Sequence, residues 1–440
     1  MKKWIFAGLI AAVFSGCAGS DKFDVSMERN EAAKKLSKLE ENADKKPDDP
    51  NALYELARAH AAIDSLQLAL TEVNDVLRKE PAFYQAYLLK ADVLSRLGRN
   101  DDVLKNWLAL LNTSPEQSYV DHVSHQLGMP YSIESVSVGP GDNYRARYSP
   151  DGSMLIWQSN RDGNWNIYLR EPGRSLPRQL TISEGDDEFP VFSMDGKTIA
   201  FTSTRDELEP KAPGNQNREL YLMPLNSRNA TRLSENSFDD WAPFFGRDSV
   251  SLYFLSEREH ADEKDVTLRK TQIYRLNLQD STLTQVTSGD ADNTSAVELR
   301  PGVLAWIRIA EGQYAVVVQD GQAKTPRVLY SSSDPKSGLC ASPDGSRLAF
   351  FMKKNDNIDL WMMGADGTKP GRLTAHAANE LYPAFSPDGQ FLLFSSNRDG
   401  AYRLYRMNLA MRTPAAELQV RIEEMLPEKN IETSAATPEE

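Results

Sequence analysis

Residues Ser342 to Thr374 read SPDGSRLAFFMKKNDNIDLWMMGADGTKPGRLT, and the chain keeps returning to that pattern. Ser386 to Leu409 reads SPDGQFLLFSSNRDGAYRLYRMNL. Ser149 opens SPDGSMLIWQSNRDGNWNIYLR, a copy that closes on RQLT at Thr181, and Ser193 opens SMDGKTIAFTSTRDE. The same interval separates Ser149 from Ser193 and Ser342 from Ser386. A fixed period of about 40–45 residues marks a propeller or a solenoid.

Each copy carries the chemistry of a four-stranded blade. The short inner strand Pro383 to Ser386 meets a turn in which Pro387 presets φ, Asp388 can bond its own backbone and Gly389 takes a positive φ. FLLFSS is nearly all apolar, as a strand covered on both faces should be, whereas YRLYRM alternates like a strand nearer the rim. GRLT and RQLT supply the outermost strand. No blade buries both faces alone, so several must pack around an axis. Six are expected, starting near Ser149, Ser193, Phe245, Arg300, Ser342 and Ser386; the third replaces SPDG by FGRDS and the fourth keeps only RPGVLAWIRI. Blade six lacks an outer strand, while SIESVSVG (Ser132 to Gly139) has strand composition and no partner. The N-terminal strand should therefore complete the last blade and remove both open edges.

These repeats resemble those of TolB, the periplasmic component of the Tol-Pal envelope system, and of related WD-like propellers, over about residues 131–409. The resemblance implies the fold and an envelope setting. Similar propellers also occur in peptidases and lyases, so it implies no single chemistry. TolB carries a different N-terminal domain and no lipid anchor, so its own partners do not carry over.

Residues 1–16, MKKWIFAGLIAAVFSG, place two lysines before an apolar core too short to span a bilayer stably, which reads as a secretion signal. Phe14, Ser15, Gly16 and Cys17 resemble a bacterial lipobox, with Phe14 where leucine is usual. That resemblance implies lipidation of Cys17, which becomes the new N-terminus and anchors the protein. Ala18 after the cysteine implies, by the enteric sorting rule, the outer membrane of a Gram-negative bacterium, facing the periplasm. Residues 17–28 would be the tether. Pro47, Pro81 and Pro115 then follow at equal intervals that match the tetratricopeptide period. Leu53, Leu56, Ala57, Ala69 and Val76 of one repeat match Tyr87, Lys90, Ala91, Val103 and Leu110 of the next, and amphipathic flanks extend the helical domain over 29–127. GMPYS joins it to the propeller; residues 410–440 give a short helix from Ala415 to Met425 and a disordered acidic tail. The predicted fold class is α plus all-β multidomain: a short tetratricopeptide α-solenoid followed by a six-bladed β-propeller.

The net charge is −13, becoming −15 once Lys2 and Lys3 leave with the signal, which argues against a nucleic-acid partner. If Cys17 carries lipid, Cys340 has no partner for a disulfide and reads as a buried, inert side chain on an inner strand. The five histidines fall in no HExxH or Cys/His ligand spacing, and no GxSxG elbow occurs, so no catalytic set, cofactor or metal is predicted. Stacking the blades places Arg161, Arg205, Arg258, Lys354 and Arg398 at one position after strand two, with Ala310 as the exception. Asn143, Asp187, Asp240, Lys336 and Glu380 begin the inner strands on the same face. This predicts a propeller mouth ringed by alternating charge that could hold a ligand. The same residues also fit hairpin turns whose charges are solvated or paired locally. Two long loops, Asp206 to Arg218 and Glu257 to Lys270, should project from that mouth and suit recognition. The expected function is a non-catalytic, lipid-anchored scaffold or adaptor that binds other periplasmic or outer-membrane proteins through its helical repeats and propeller face. The alternative is a propeller that binds or cleaves an anionic cell-wall or extracellular polysaccharide.

Overall fold

The computed structural model describes residues 24–427 apart from 137–138, 207–216, 261–268, 322 and 324. The signal segment, Cys17, most of the two long loops and the end of the acidic tail lie outside the described residues. The chain forms two compact units, one from Tyr131 to Arg412 and one in which the chain before Pro130 is joined by the chain from Thr413 onward.

The helical unit comprises α1 (Arg29–Lys45), α2 (Pro50–Ala62), α3 (Leu66–Lys79), α4 (Tyr84–Arg96), α5 (Asn100–Asn112), α6 (Gln117–Gln126) and α7 (Ala415–Met425). The starts of α2 and α4 are separated by the same interval as those of α3 and α5, and as Pro47 from Pro81. Asp49 starts α2 by accepting from the Asn51 amide, with Pro50 in the first turn where its missing N–H costs nothing. Ala57, Ala69 and Ala91 are buried where small side chains let helices approach closely. Leu418 and Ile422, one turn apart on α7, are fully buried in the same core. The C-terminal helix is thus a packed member of this unit.

In the other unit, β1 (Tyr131–Ser135) precedes six four-stranded antiparallel sheets. Blade one holds β2 (Asn143–Tyr148), β3 (Leu155–Ser159), β4 (Asn166–Arg170) and β5 (Arg178–Gln179). Blade two holds β6 (Asp187–Phe192), β7 (Thr198–Ser203), β8 (Glu219–Pro224) and β9 (Thr231–Arg232). Blade three holds β10 (Asp240–Phe245), β11 (Ser251–Ser256), β12 (Gln272–Asn277) and β13 (Leu283–Gln285). Blade four is complete, with β14 (Asp292–Arg300), β15 (Val303–Ala310), β16 (Gln313–Asp320) and β17 (Arg327–Ser332). Blade five holds β18 (Lys336–Ala341), β19 (Arg347–Lys354), β20 (Asn357–Gly364) and β21 (Gly371–Arg372). Blade six holds β22 (Glu380–Phe385), β23 (Phe391–Asp399) and β24 (Ala401–Arg412), and β1 is its outermost strand. Ile133 sits opposite Met407 and Ser135 opposite Tyr405, so strands from the two ends of the propeller share one sheet.

Two local devices repeat around the ring. In the SPDG turns and the SMDG turn, Ser149, Ser193, Ser342 and Ser386 each donate to the aspartate two residues on and accept from the amide five residues on. The Ser149 and Ser153 bonds hold the Asp151 carboxyl down at about 2. A second device latches blade to blade: the side chain just before an inner strand accepts the amide that opens strand three of the preceding blade. Asp186 takes Trp165 N at 2.9 Å, Asp239 takes Arg218 N at 2.9 Å, and Asp142 takes Tyr402 N at 2.9 Å across the closure of the ring. Gly185 lies in such a connection, where an added Cβ would meet the Arg205 amide at 2.6 Å.

The propeller mouth as candidate functional site

The charged residues that align between blades are placed by strand register. Asp187 faces Ser203 across the β6–β7 ladder, Asp240 faces Ser256 and Glu380 faces Ser396; the arginine lies two residues beyond each serine. Arg205 reaches Asp187 at 2.8 Å, Arg258 reaches Asp240 at 2.5 Å and Arg398 reaches Glu380 at 3.1 Å, with all three carboxylates fully buried. In blade one Asn143 stands in for the acid, and its Oδ1 accepts from Arg161 at 2.9 Å and from the Trp157 indole at 3.0 Å. Each of these four arginines also donates Nε to its serine. Each covers a cross-strand aromatic pair: Trp157 with Tyr168, Phe201 with Tyr221, Phe254 with Tyr274, Phe394 with Tyr405. Tyr168, Tyr221 and Tyr405 in turn donate to Asp162, Asp206 and Asp399, and burial followed by that aspartate keeps each phenol well above its usual range.

The repeated cations are therefore clamps within blades, and the carboxylates behind them are closed to solvent. Blade five inverts the charge: buried Lys336 gives its ammonium to Tyr314 O, Ser332 Oγ and Asp334 O at 2.9 Å each, and Lys354 is exposed at the end of β19. Blade four keeps Asn293 under the Trp306 indole at 2.7 Å, with Ala310 where the arginine would stand. Burial pushes Glu380 up to about 7 despite the pull of Arg398. Cys340, buried on β18, is pushed up to about 12, which leaves no thiolate at ordinary pH.

The surface that faces the axis is built one step further along each inner strand. In every blade the ladder between strands one and two is broken by a bulge whose central residue has a left-handed φ: Arg145, Phe189, Ala242, Ser295, Gly338 and Tyr382. Gly338 is needed for a second reason, since a Cβ there would meet the Phe351 ring at 2.6 Å. Bulges re-aim side chains, and a ring of six points six dissimilar ones inward. Tyr144, beside the first bulge, packs against Tyr402 at 4.8 Å, Trp165 at 5.3 Å and Tyr382 at 5.7 Å between ring centroids; Tyr382 meets Phe351 at 5.3 Å. All five rings are partly exposed. The result is an aromatic cup over blades one, five and six. None of the five was singled out from the sequence. The signal available was negative: along columns that otherwise repeat, these positions change residue from blade to blade.

Among the described residues, no group of three or more His, Cys, Asp or Glu side chains is arranged to hold a metal.

The family model described as the TolB beta propeller domain matches residues 303–418. A Tol-Pal system protein TolB of Desulfosudis oleivorans is 36% identical over 64 residues, 14% of this chain and 15% of that one. Alignments cover 36%, 29% and 15% of the first three curated relatives, so the chain spans only a minor part of their length. Among solved structures, TolB from Acinetobacter baumannii is 22% identical over 58% of this chain and 57% of that one, with a TM-score of 0.46. An oligogalacturonate lyase from Vibrio parahaemolyticus is 14% identical over 63% and 93%, also with a TM-score of 0.46. Tyr131–Arg412 is a six-bladed β-propeller whose residues from 303 on match the TolB propeller model, and the first six helices of the other unit precede it in the chain.

Proposed function

We propose that this protein is a lipid-anchored, non-catalytic adaptor of the Gram-negative cell envelope, in which a tetratricopeptide-type helical unit and the propeller mouth each hold a protein partner. The observation that carries this reading is the partly exposed cup of Tyr144, Trp165, Tyr382 and Tyr402 on the inner ring. Aromatic rings dominate the energetic centres of protein interfaces because they bury large area with few torsions to freeze. The equal spacing of α2 to α4 and of α3 to α5 supports a stacked-helix module of the kind that cradles peptides. Cys17 would supply the membrane attachment on the periplasmic side of the outer membrane. No cofactor or nucleic acid enters this role.

The test is photocrosslinking in intact cells from a benzoylphenylalanine at Tyr402, with a second probe at exposed Leu176 as control. A discrete protein adduct from position 402, missing from 176, is the expected result. An adduct to acidic glycan, or none above the control, would overturn the adaptor reading in favour of carbohydrate binding.

A further inference from the structure

Arg145 occupies the first bulge of the inner ring, with a φ of 55°. Its guanidinium carbon lies 3.7 Å from the centroid of Phe189 and 3.9 Å from that of Tyr382, one ring from each neighbouring blade. Both faces of the planar cation are thereby covered, while its N–H edges make no hydrogen bond or ion pair with any described residue. The carboxylate beside Phe189, that of Glu188, is already taken by Arg218 at 3.1 Å and Gln158 at 3.3 Å. Arg147, two residues on, adds a second positive charge to the same inner strand and donates only to the Ala146 carbonyl at 3.1 Å. Burial holds both guanidinium groups below their ordinary range, and for Arg145 it outweighs the opposing pull of Tyr382 and of the nearby Glu188 carboxylate. A stacked arginine is a fork fixed in its plane, and that fork matches the two oxygens of a carboxylate.

We infer that Arg145 anchors a single carboxylate, the free C-terminus of an extended peptide presented by a protein partner. This deepens the adaptor reading and rests on it. Each inner strand pairs with another strand on one side only; on its other edge Phe189 N and Gly338 N already donate to Gln158 Oε1 and Ser295 Oγ of neighbouring blades, so an extended peptide would use the remaining backbone groups. Trp165 and Tyr402 both lie within ring contact of Tyr144, the residue before the anchor, and the three suit an apolar or aromatic last side chain. A polyanionic glycan would bring many charges to a chain of net charge −13 whose six inner bulges carry a single arginine, Arg145.

The experiment titrates the full chain by calorimetry with peptides N-acetyl-Gly-Gly-X, X being Phe, Tyr, Trp or Leu, as free acids and as C-terminal amides, and with D-galacturonate. At least one free acid is expected to bind about tenfold or more tightly than its amide, because a charge-assisted fork is replaced by a neutral contact. Arg145→Gln should erase that difference, and Arg145→Lys, a point charge without a fork, should shrink it. Equal affinity for acid and amide, no binding of any free acid, or binding of galacturonate alone would each overturn the inference. The acid-to-amide contrast is read on the unaltered protein and does not depend on how a variant folds. A partner crosslinked at Tyr402 through an internal segment would keep the adaptor and discard the C-terminal anchor.

Discussion

Replacing Leu418 and Ile422 by alanine should unfold the helical unit while leaving the propeller intact. Both side chains are fully buried, and they enter a core made by α2 to α6, which lie before the whole propeller in the chain. Each truncation of a buried leucine or isoleucine to alanine costs about 2–5 kcal/mol, the transfer loss plus the cavity left behind. The two sites are one helical turn apart and share a cavity, so the pair costs less than the sum, about 4–7 kcal/mol. A domain of this size is stable by about 5–15 kcal/mol, so the loss takes from about a quarter to all of that. With a urea slope of about 1–3 kcal/mol per molar, the helical transition at 222 nm should fall by about 1.3 M or more. The propeller transition, followed by the fluorescence of Trp157, Trp165, Trp241, Trp306 and Trp361, should stay in place. A helical midpoint displaced by less than about 0.5 M would refute the packing of α7 as a member of this core.

Arg258→Ala should destabilise the propeller by about 3–5 kcal/mol in urea, because it strands a fully buried Asp240; an effect under about 1 kcal/mol would mean that the clamp is not holding the blade. Glu380, raised to about 7, keeps its proton in the folded state where the unfolded chain has lost it, so its contribution to stability is present below about 4.5 and lost as pH rises to about 7. Glu380→Gln should therefore flatten the pH dependence of the propeller midpoint between 4.5 and 7, and identical slopes for the two proteins would refute it. Cys340, with its thiol pushed up to about 12, should react with a thiol reagent at pH 8 only on the timescale of propeller unfolding; labelling at the rate of a free peptide thiol would contradict its burial.

The sequence was legible where one residue sets one local geometry. Ser-Pro-Asp-Gly encodes its turn completely, in the serine bond to aspartate and the positive φ of glycine, and its three copies together with Ser-Met-Asp-Gly at Ser193 locate four blades. Blade four was the least regular, since Pro301 and Gly302 replace that turn, and its apolar β15 alone marked it. The charged positions were visible, but their partners depend on pairing. An acid and an arginine always the same number of positions apart are the two ends of one antiparallel ladder, which the constant offset encodes and the list of charges does not.

The sequence by itself determined the repeat, the number of blades and the strand that had to close them, because these follow from periodicity and from the cost of an open edge. Tertiary structure alone decided what meets at the axis. Arg145, Phe189 and Tyr382 hold the same position in three blades, but that position carries a different residue in each, and only ring closure places residues 145 and 382 side by side. The same holds for Leu418 and Ile422. An amphipathic turn announces a buried face, but only folding says which core, at the far end of the chain, receives it.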